Sequence, residues 1–86
     1  MRVRIPTPVQ SYTEGRAAVE AAGRTVDEMT RDLDRQFPGI RFRFIDEQDR
    51  VRQHMRIFVN GQQVFDLKTP LTATDDIFIV QALSGG

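Results

Sequence analysis

The fold is decided by residues 25–37, which read TVDEMTRDLDRQF and give the clearest helix signal in the chain. Thr25 and Glu28 form a T-x-x-E capping box, in which each side chain accepts a hydrogen bond from the other residue's backbone N–H. Apolar residues recur at spacings of three and four and so form one stripe: Val26, Met29, Leu33 and Phe37. Pro38-Gly39 ends the pattern. The segment predicts an amphipathic helix over 25–36 that covers one face of a sheet.

Alternating side chains predict a strand before this helix. In residues 1–6, arginines alternate with Val3 and Ile5, so we expect a strand with the two apolar residues on its buried side. A turn is predicted at 13–15. The next segment, 16–22, is rich in alanine, which favours a helix, but it is short for one. The residues alone leave the state of this segment open.

After the helix, residues 41–45 alternate again, with Phe42 and Phe44 on one side, and predict another strand. Residues 46–54 carry many charges without a sustained period, which indicates a long exposed loop. His54, the only histidine, lies in or beside this loop. We interpret His54 as structural, because a metal site in a chain without cysteine would have to combine it with carboxylates.

The C-terminal half predicts a hairpin and a last strand. Residues 55–59 are β-branched and aromatic, as is typical of a strand. Asn60-Gly61 is a favoured type I′ hairpin dipeptide, with 62–65 as the returning strand. Residues 70–76 are rich in turn formers, and the adjacent carboxylates of Asp75 and Asp76 are interpreted as turn or strand-start residues. The last strand is predicted over 77–83.

These elements predict an α+β fold in which one main helix covers one face of a mixed sheet of four to five strands. A chain of 86 residues supplies one hydrophobic core, so we expect a single domain. We place this domain at residues 1–83 and a flexible C-terminal tail at 84–86.

The last strand predicts an exposed apolar patch. Ile77 and Ile79 point to one side of the strand, and Phe78 and Val80 point to the other. Because the helix covers only one face, we expect the second pair to remain accessible, joined by Phe58. Such patches often mark partner surfaces. The alternatives are that loops cover the patch or that the two faces are reversed.

The composition excludes several classes of function. Twelve basic residues balance twelve acidic ones, which argues against a general nucleic-acid binder. The absence of cysteine excludes a disulfide framework, a thiolate metal site and a thiol nucleophile. No apolar run approaches a membrane span or the core of a secretory signal, so we expect a cytoplasmic protein without membrane contact.

The diglycine Gly85-Gly86 is the remaining chemical feature of the chain. Glycine has no Cβ, so such a tail can enter a narrow channel and present its carboxylate to another enzyme. Small residues are also common at frayed termini, so the diglycine alone is suggestive only. No motif of a self-contained active site is present, which indicates a substrate or a binding module.

Four stretches resemble the small sulfur-carrier family, whose members have the β-grasp, or ubiquitin-like, fold. The family includes the small subunit of molybdopterin synthase and the carriers of thiazole and mycobacterial-type cysteine biosynthesis. The resemblance rests on Ile5-Pro6-Thr7, on the Thr13 to Gly15 turn with the helix start Gly23-Arg24-Thr25-Val26, on Met55-Arg56-Ile57-Phe58-Val59-Asn60, and on Pro70 to Val80 with the terminal Gly-Gly. The last stretch is the most specific.

The resemblance implies that Arg16 to Ala21 form the second strand of a hairpin. It also implies that the chain is not an enzyme and binds no cofactor of its own. An activating enzyme resembling the ubiquitin E1, an adenylyltransferase and sulfurtransferase, would use ATP and magnesium to adenylate the carboxylate of Gly86. Sulfur would then give a thiocarboxylate, with Gly85 providing a slim approach.

A sulfur-acceptor synthase would use this thiocarboxylate in molybdopterin, thiazole or cysteine-type biosynthesis. One departure is that many relatives have proline shortly before the tail, where this chain has Gln81 and Ala82. The residues that the resemblance and the apolar patch together predict to bind partners are Phe58, Phe78, Val80, Leu83 and Ser84.

Two alternatives to the sulfur carrier remain open from the sequence. The same tail and activation would serve a protein modifier whose Gly86 is linked to lysines of target proteins. A β-grasp interaction module without tail chemistry is the other alternative. Removing Gly86 separates that module from both tail-chemistry functions.

Overall fold

The computed structural model describes residues 1–82 and shows a five-stranded mixed sheet with one main helix across one face. The strand order is β2-β1-β5-β3-β4, with β1 and β5 parallel and every other neighbouring pair antiparallel. The predicted α+β architecture is confirmed. The elements are β1 (Arg2–Arg4), a 3₁₀-helix (Thr7–Thr13), β2 (Ala18–Glu20), α1 (Val26–Gln36), α2 (Arg41–Phe44), β3 (Met55–Val59), β4 (Gln62–Val64) and β5 (Asp76–Gln81).

Helix α1 begins and ends where the sequence predicts. The Oγ1 atom of Thr25 accepts a hydrogen bond from the backbone N–H of Glu28 at 3.2 Å. The reciprocal half of the predicted capping box is shifted by one residue, because the Glu28 carboxylate accepts from the N–H of Arg24 at 3.0 Å. The apolar stripe faces the core. Val26, Met29 and Leu33 are buried, and Phe37 is partly buried.

The prediction of a strand at 41–45 is wrong, because this segment forms the short helix α2. Its Phe44 is fully buried, whereas Phe42 is 54% exposed, so the two rings do not share a face. The reason is tertiary. Arg41 donates to the carboxylate of Asp27 at 2.8 Å and to the hydroxyl of Thr30 at 3.1 Å, which ties the start of α2 to α1. Five alternating residues could not reveal these contacts.

The alanine-rich segment is a strand, as the family resemblance implies. Val19 of β2 lies opposite Val3 of β1 in an antiparallel pair, and both side chains are buried. Glu14 ends the preceding 3₁₀-helix with a left-handed backbone at φ 57°, which agrees with the predicted turn. Pairing with β1 therefore overrides the helix propensity of alanine.

The hairpin and the last strand also agree with the sequence. Asn60 and Gly61 both have positive φ, at 50° and 86°, as a type I′ turn requires. The core lies between α1 and the sheet, and β3 and β5 contribute buried Ile57, Ile77 and Ile79 to it. Within residues 1–82, no helix has both the length and the apolar character needed to cross a membrane.

Candidate functional site: the outer face of the sheet

The sheet face turned away from α1, called here the outer face, carries the predicted apolar residues. Phe58 of β3 lies directly opposite Phe78 of β5, and Arg56 lies opposite Val80. The alternate residues of β5 point inward, since Ile77 and Ile79 are buried. Strand alternation therefore assigns the two faces as the sequence predicts.

Phe58, Phe78 and Val80 form a partly accessible cluster, called here the apolar patch. Phe78 is 36% exposed, and Phe58 and Val80 are partly buried. Neither alternative, covering loops or reversed faces, agrees with this arrangement. The partner-binding role of the three residues stays a prediction.

Two arginines border the apolar patch, and sequence reasoning assigned neither of them to the site. The guanidinium carbon of Arg4 lies over the Phe78 ring, 4.6 Å from its centroid. Arg56 donates from Nη1 to the backbone carbonyls of Gln53 at 2.6 Å and Met55 at 3.0 Å. The alternation in β1 predicts that Arg4 points outward. Only the parallel pairing of β1 with β5 brings it beside Phe78.

The last described contact before the tail ties the end of β5 to the start of β3. The backbone N–H of Ala82 donates to the carbonyl of His54 at 2.8 Å. His54 is exposed and makes this contact through its main chain. In residues 1–82, no group of three or more histidines and carboxylates could hold a metal ion. The predicted site residues Leu83, Ser84, Gly85 and Gly86 lie outside the described residues.

Asp75 and Asp76 are turn and strand-start residues, as predicted, and the Asp75 carboxylate stabilises the turn. Asp75 accepts from the backbone N–H of Thr72 at 2.8 Å and from the side-chain amide of Asn60 at 2.9 Å. These hydrogen bonds hold the pKa of Asp75 below its usual value, and the bond from the Thr72 N–H has the largest effect. The backbone N–H of Asp76 donates to the Asn60 side chain at 2.9 Å. The pair therefore joins the hairpin turn to the start of β5.

The whole chain is similar to known sulfur carriers. The profile of the ThiS family matches residues 3–86. The chain is 32% identical over 89 residues to the sulfur carrier protein CysO of Mycobacterium tuberculosis and of Mycobacterium bovis. The matches cover 98% of this chain and 96% of each relative.

Solved structures agree with this similarity. A chain of the Amycolatopsis orientalis BexX/CysO complex superposes with a TM-score of 0.91 at 31% identity, and the match covers 99% of this chain and 98% of that one. M. tuberculosis CysO superposes with a TM-score of 0.90 at 29% identity, and the match covers 95% of this chain and 98% of that one. SAMP1 of Haloferax volcanii superposes with a TM-score of 0.77 at 20% identity, and the match covers 100% of this chain and 98% of that one. At this identity the similarity concerns the fold alone. The fold is the β-grasp, or ubiquitin-like, fold.

Proposed function

Because this chain belongs to the ThiS family, we propose that it is a sulfur carrier protein whose Gly86 carboxylate is adenylated and then converted to a thiocarboxylate. The observation that supports this most strongly is the similarity to sulfur carrier protein CysO along nearly the whole of both chains. The relatives are named as carrier proteins and not as enzymes, in agreement with a chain that acts as a substrate.

The proposed chemistry proceeds in two balanced steps. A Gly86 carboxylate oxygen attacks the α-phosphorus of ATP, which forms an acyl adenylate and releases pyrophosphate. A sulfide-level nucleophile then attacks the acyl carbon, forms the C–S bond and expels AMP. Adenylation is needed because a carboxylate is a poor electrophile, whereas AMP is a good leaving group. ATP and magnesium would be bound by the activating enzyme.

The carrier's own contribution is to dock and to present its tail. We propose that the apolar patch, together with Leu83 and Ser84, contacts an E1-like activating enzyme and later a sulfur-acceptor synthase. The exposure of Phe78 supports this assignment, because accessible apolar side chains on a small domain often mark a partner surface. A CysO relative crystallised in a complex with BexX, which is consistent with a carrier that works through partners.

The acceptor would belong to molybdopterin, thiazole or cysteine-type biosynthesis. Conjugation of Gly86 to lysines of other proteins is the second candidate, since it would use the same activated tail. The archaeal SAMP1 structures are those of small archaeal modifier proteins, but identities of 18% and 20% restrict this likeness to the fold. The third candidate, an interaction module, would need no tail chemistry.

Intact-mass measurement tests the proposed function. The starting protein must first show a free carboxyl group on Gly86. After incubation with ATP, magnesium, sulfide and the E1-like enzyme of the same organism, we expect its mass to rise by the difference between one sulfur and one oxygen atom. The matched control is the variant that lacks Gly86, which should stay unmodified.

Three other results would contradict the sulfur carrier. Lysine-linked conjugates in place of the sulfur-for-oxygen shift would favour the modifier. Equal modification of the variant without Gly86 would exclude Gly86 as the reactive residue. An unchanged mass in the complete reaction, with partner binding preserved in that variant, would favour the interaction module.

A further inference from the structure

Within residues 1–82, Arg4 is a cation on the outer face that forms no ion pair with a carboxylate. By strand register it lies between Ala18 of β2 and Phe78 of β5, so neither flanking residue carries a charge. Its Nε atom is buried and has no hydrogen-bond partner among residues 1–82. None of the ion pairs formed within the same residues includes Arg4. A buried donor without an acceptor is unfavourable, so this arrangement calls for an explanation.

The second arginine of β1 provides a direct comparison. Arg2 occupies the same face two residues earlier, and its register neighbours are Glu20 of β2 and Asp76 of β5. Opposite charges on neighbouring strands stabilise each other. The sheet therefore places acidic residues on both sides of Arg2 and none beside Arg4, although Arg2 forms no direct ion pair within residues 1–82. The alternation of an ordinary solvent-exposed strand face accounts for Arg2, but it does not account for the stacking of Arg4 on Phe78.

The third arginine of the outer face has hydrogen-bond acceptors within the chain. Arg56 lies opposite Val80 and uses Nη1 to bind two carbonyls of its own segment. Arg4 differs from both, because within residues 1–82 it has no carboxylate as a register neighbour and no hydrogen-bond acceptor for its buried Nε atom. It also lies against Phe78 in the apolar patch. A partner that covers the apolar patch would also cover Arg4.

Stacking prepares Arg4 for one kind of ligand. A guanidinium group held over an aromatic ring keeps the N–H groups of its edge available, and their planar fork matches the two oxygens of a carboxylate. Exclusion of water by the surrounding apolar surface would strengthen such a pair. An uncharged partner surface would instead leave the cation buried and unpaired, which disfavours binding. Charge complementarity therefore selects an acidic side chain as the occupant.

We propose that Arg4 is a specificity-determining residue, which binds an aspartate or glutamate carboxylate of the activating enzyme at the centre of the docking interface. This inference rests on the proposed function, because it requires that the outer face dock on that enzyme. Phe58, Phe78 and Val80 supply apolar contact area, and Arg4 selects a partner that carries an acid within its own apolar surface.

Steady-state kinetics of ATP–pyrophosphate exchange test the inference, with the carrier as the varied substrate of the same organism's E1-like enzyme. Arg4→Gln should raise KM on the order of 30-fold with kcat unchanged, because it leaves the partner's carboxylate unpaired. Arg2→Gln is the matched control and should change KM less than about twofold, since an exposed charge flanked by acidic residues contributes little. The KM of Arg4→Lys should lie between those of Arg4→Gln and the wild type, because lysine keeps the charge but loses the paired N–H groups of the guanidinium.

Two further readouts separate recognition from a merely structural role. The ratio of KM values between Arg4→Gln and the wild type should shrink as salt concentration rises, and the melting temperatures of the two proteins should agree. Equal KM values for Arg4→Gln and Arg2→Gln would overturn the inference while leaving the proposed function intact. Absence of exchange with the wild type would instead overturn the proposed function, and the inference with it.

Discussion

At the residue scale, the same amino acid has different consequences at positions that look alike in the sequence. Arg2 and Arg4 are adjacent members of one alternating pattern, yet only Arg2 has carboxylates as register neighbours. Gly15 and Gly23 both have positive φ, but only Gly23 lies against helix α1. The neighbours of Arg2 and Arg4 lie on other strands, and the close contact of Gly23 depends on how the preceding loop approaches α1, so single-residue patterns cannot reveal either difference.

We expect Gly23→Ala to destabilise the protein far more than Gly15→Ala does. A Cβ at Gly23, where φ is 153°, would lie 2.6 Å from the backbone nitrogen of Met29, so the helix itself would have to move. The expected loss in the free energy of unfolding is about 3 kcal/mol. At Gly15, no atom lies within 4 Å of an added Cβ, and left-handed strain alone costs about 1 kcal/mol.

Urea denaturation of the two glycine variants measures this difference. Equal midpoints for Gly15→Ala and Gly23→Ala would show that the close approach of the loop to α1 is unimportant for stability. A Gly23→Ala variant that fails to fold while Gly15→Ala folds would agree with the expectation.

At the element scale, sequence patterns succeeded where an element is long or strongly punctuated. Helix α1 has a cap, a stripe and a Pro-Gly stop, and the hairpin after β3 has Asn60-Gly61, so both were predictable from local signals. The strand prediction failed at 41–45, because five alternating residues do not distinguish a strand from one helical turn. Segment 16–22 was settled by family resemblance, since its strand depends on pairing with β1.

Paired phenylalanine variants test the corrected element α2. In a strand Phe42 and Phe44 would share a face, and their truncations would cost similar amounts. In the helix Phe44 is fully buried and Phe42 is 54% exposed. We expect Phe44→Ala to lower the free energy of unfolding by about 3–5 kcal/mol or to prevent folding. Phe42→Ala should cost less than about 1 kcal/mol in the same urea denaturation experiment, and equal losses would contradict the helix.

At the scale of the whole molecule, short-range carboxylate contacts connect the loops to α1 and to the hairpin. Asp32 accepts from the backbone N–H of Ala22 at 2.9 Å, and Arg35 donates to it at 2.6 Å. The Ala22 bond, followed by the Arg35 bond, lowers the pKa of Asp32. Hydrogen bonds also lower the pKa values of three other carboxyl groups. The largest contribution comes from the Arg31 side chain for Asp27, from the Arg50 backbone N–H for Asp46, and from the Thr72 backbone N–H for Asp75.

These lowered pKa values predict acid sensitivity of the fold. Each carboxyl group titrates near 3.8 in the unfolded chain and below 3.8 in the folded protein. As the pH falls, the unfolded state therefore takes up protons first, and the free energy of unfolding declines. Stability from these groups should be fully present well above pH 4 and should be lost as the pH falls through the folded pKa values.

Chemical denaturation at pH 7 and at a series of acidic values checks this prediction. Asp32→Asn should be less stable than the wild type at pH 7 and should lose less stability on acidification, because one linked group is gone. Stability that rises on acidification below pH 4, or an unchanged pH slope in Asp32→Asn, would contradict the assignment.

The sequence by itself determined the α+β class, helix α1, the hairpin and the outward orientation of Phe58, Phe78 and Val80. Each follows from a period, a cap or a turn dipeptide within about a dozen residues. Resemblance added the family, and the diglycine at Gly85-Gly86 located the proposed chemistry in the part of the chain beyond the described residues.

Only the tertiary structure decided the strand order, the helical state of α2 and the placement of Arg4 over Phe78. The physical reason is that these features come from pairing between distant segments. Arg4 and Phe78 are 74 positions apart and become neighbours solely because β1 and β5 pair in parallel. A residue's orientation is thus set by its own strand, whereas the charges and rings that surround it are set by the whole fold.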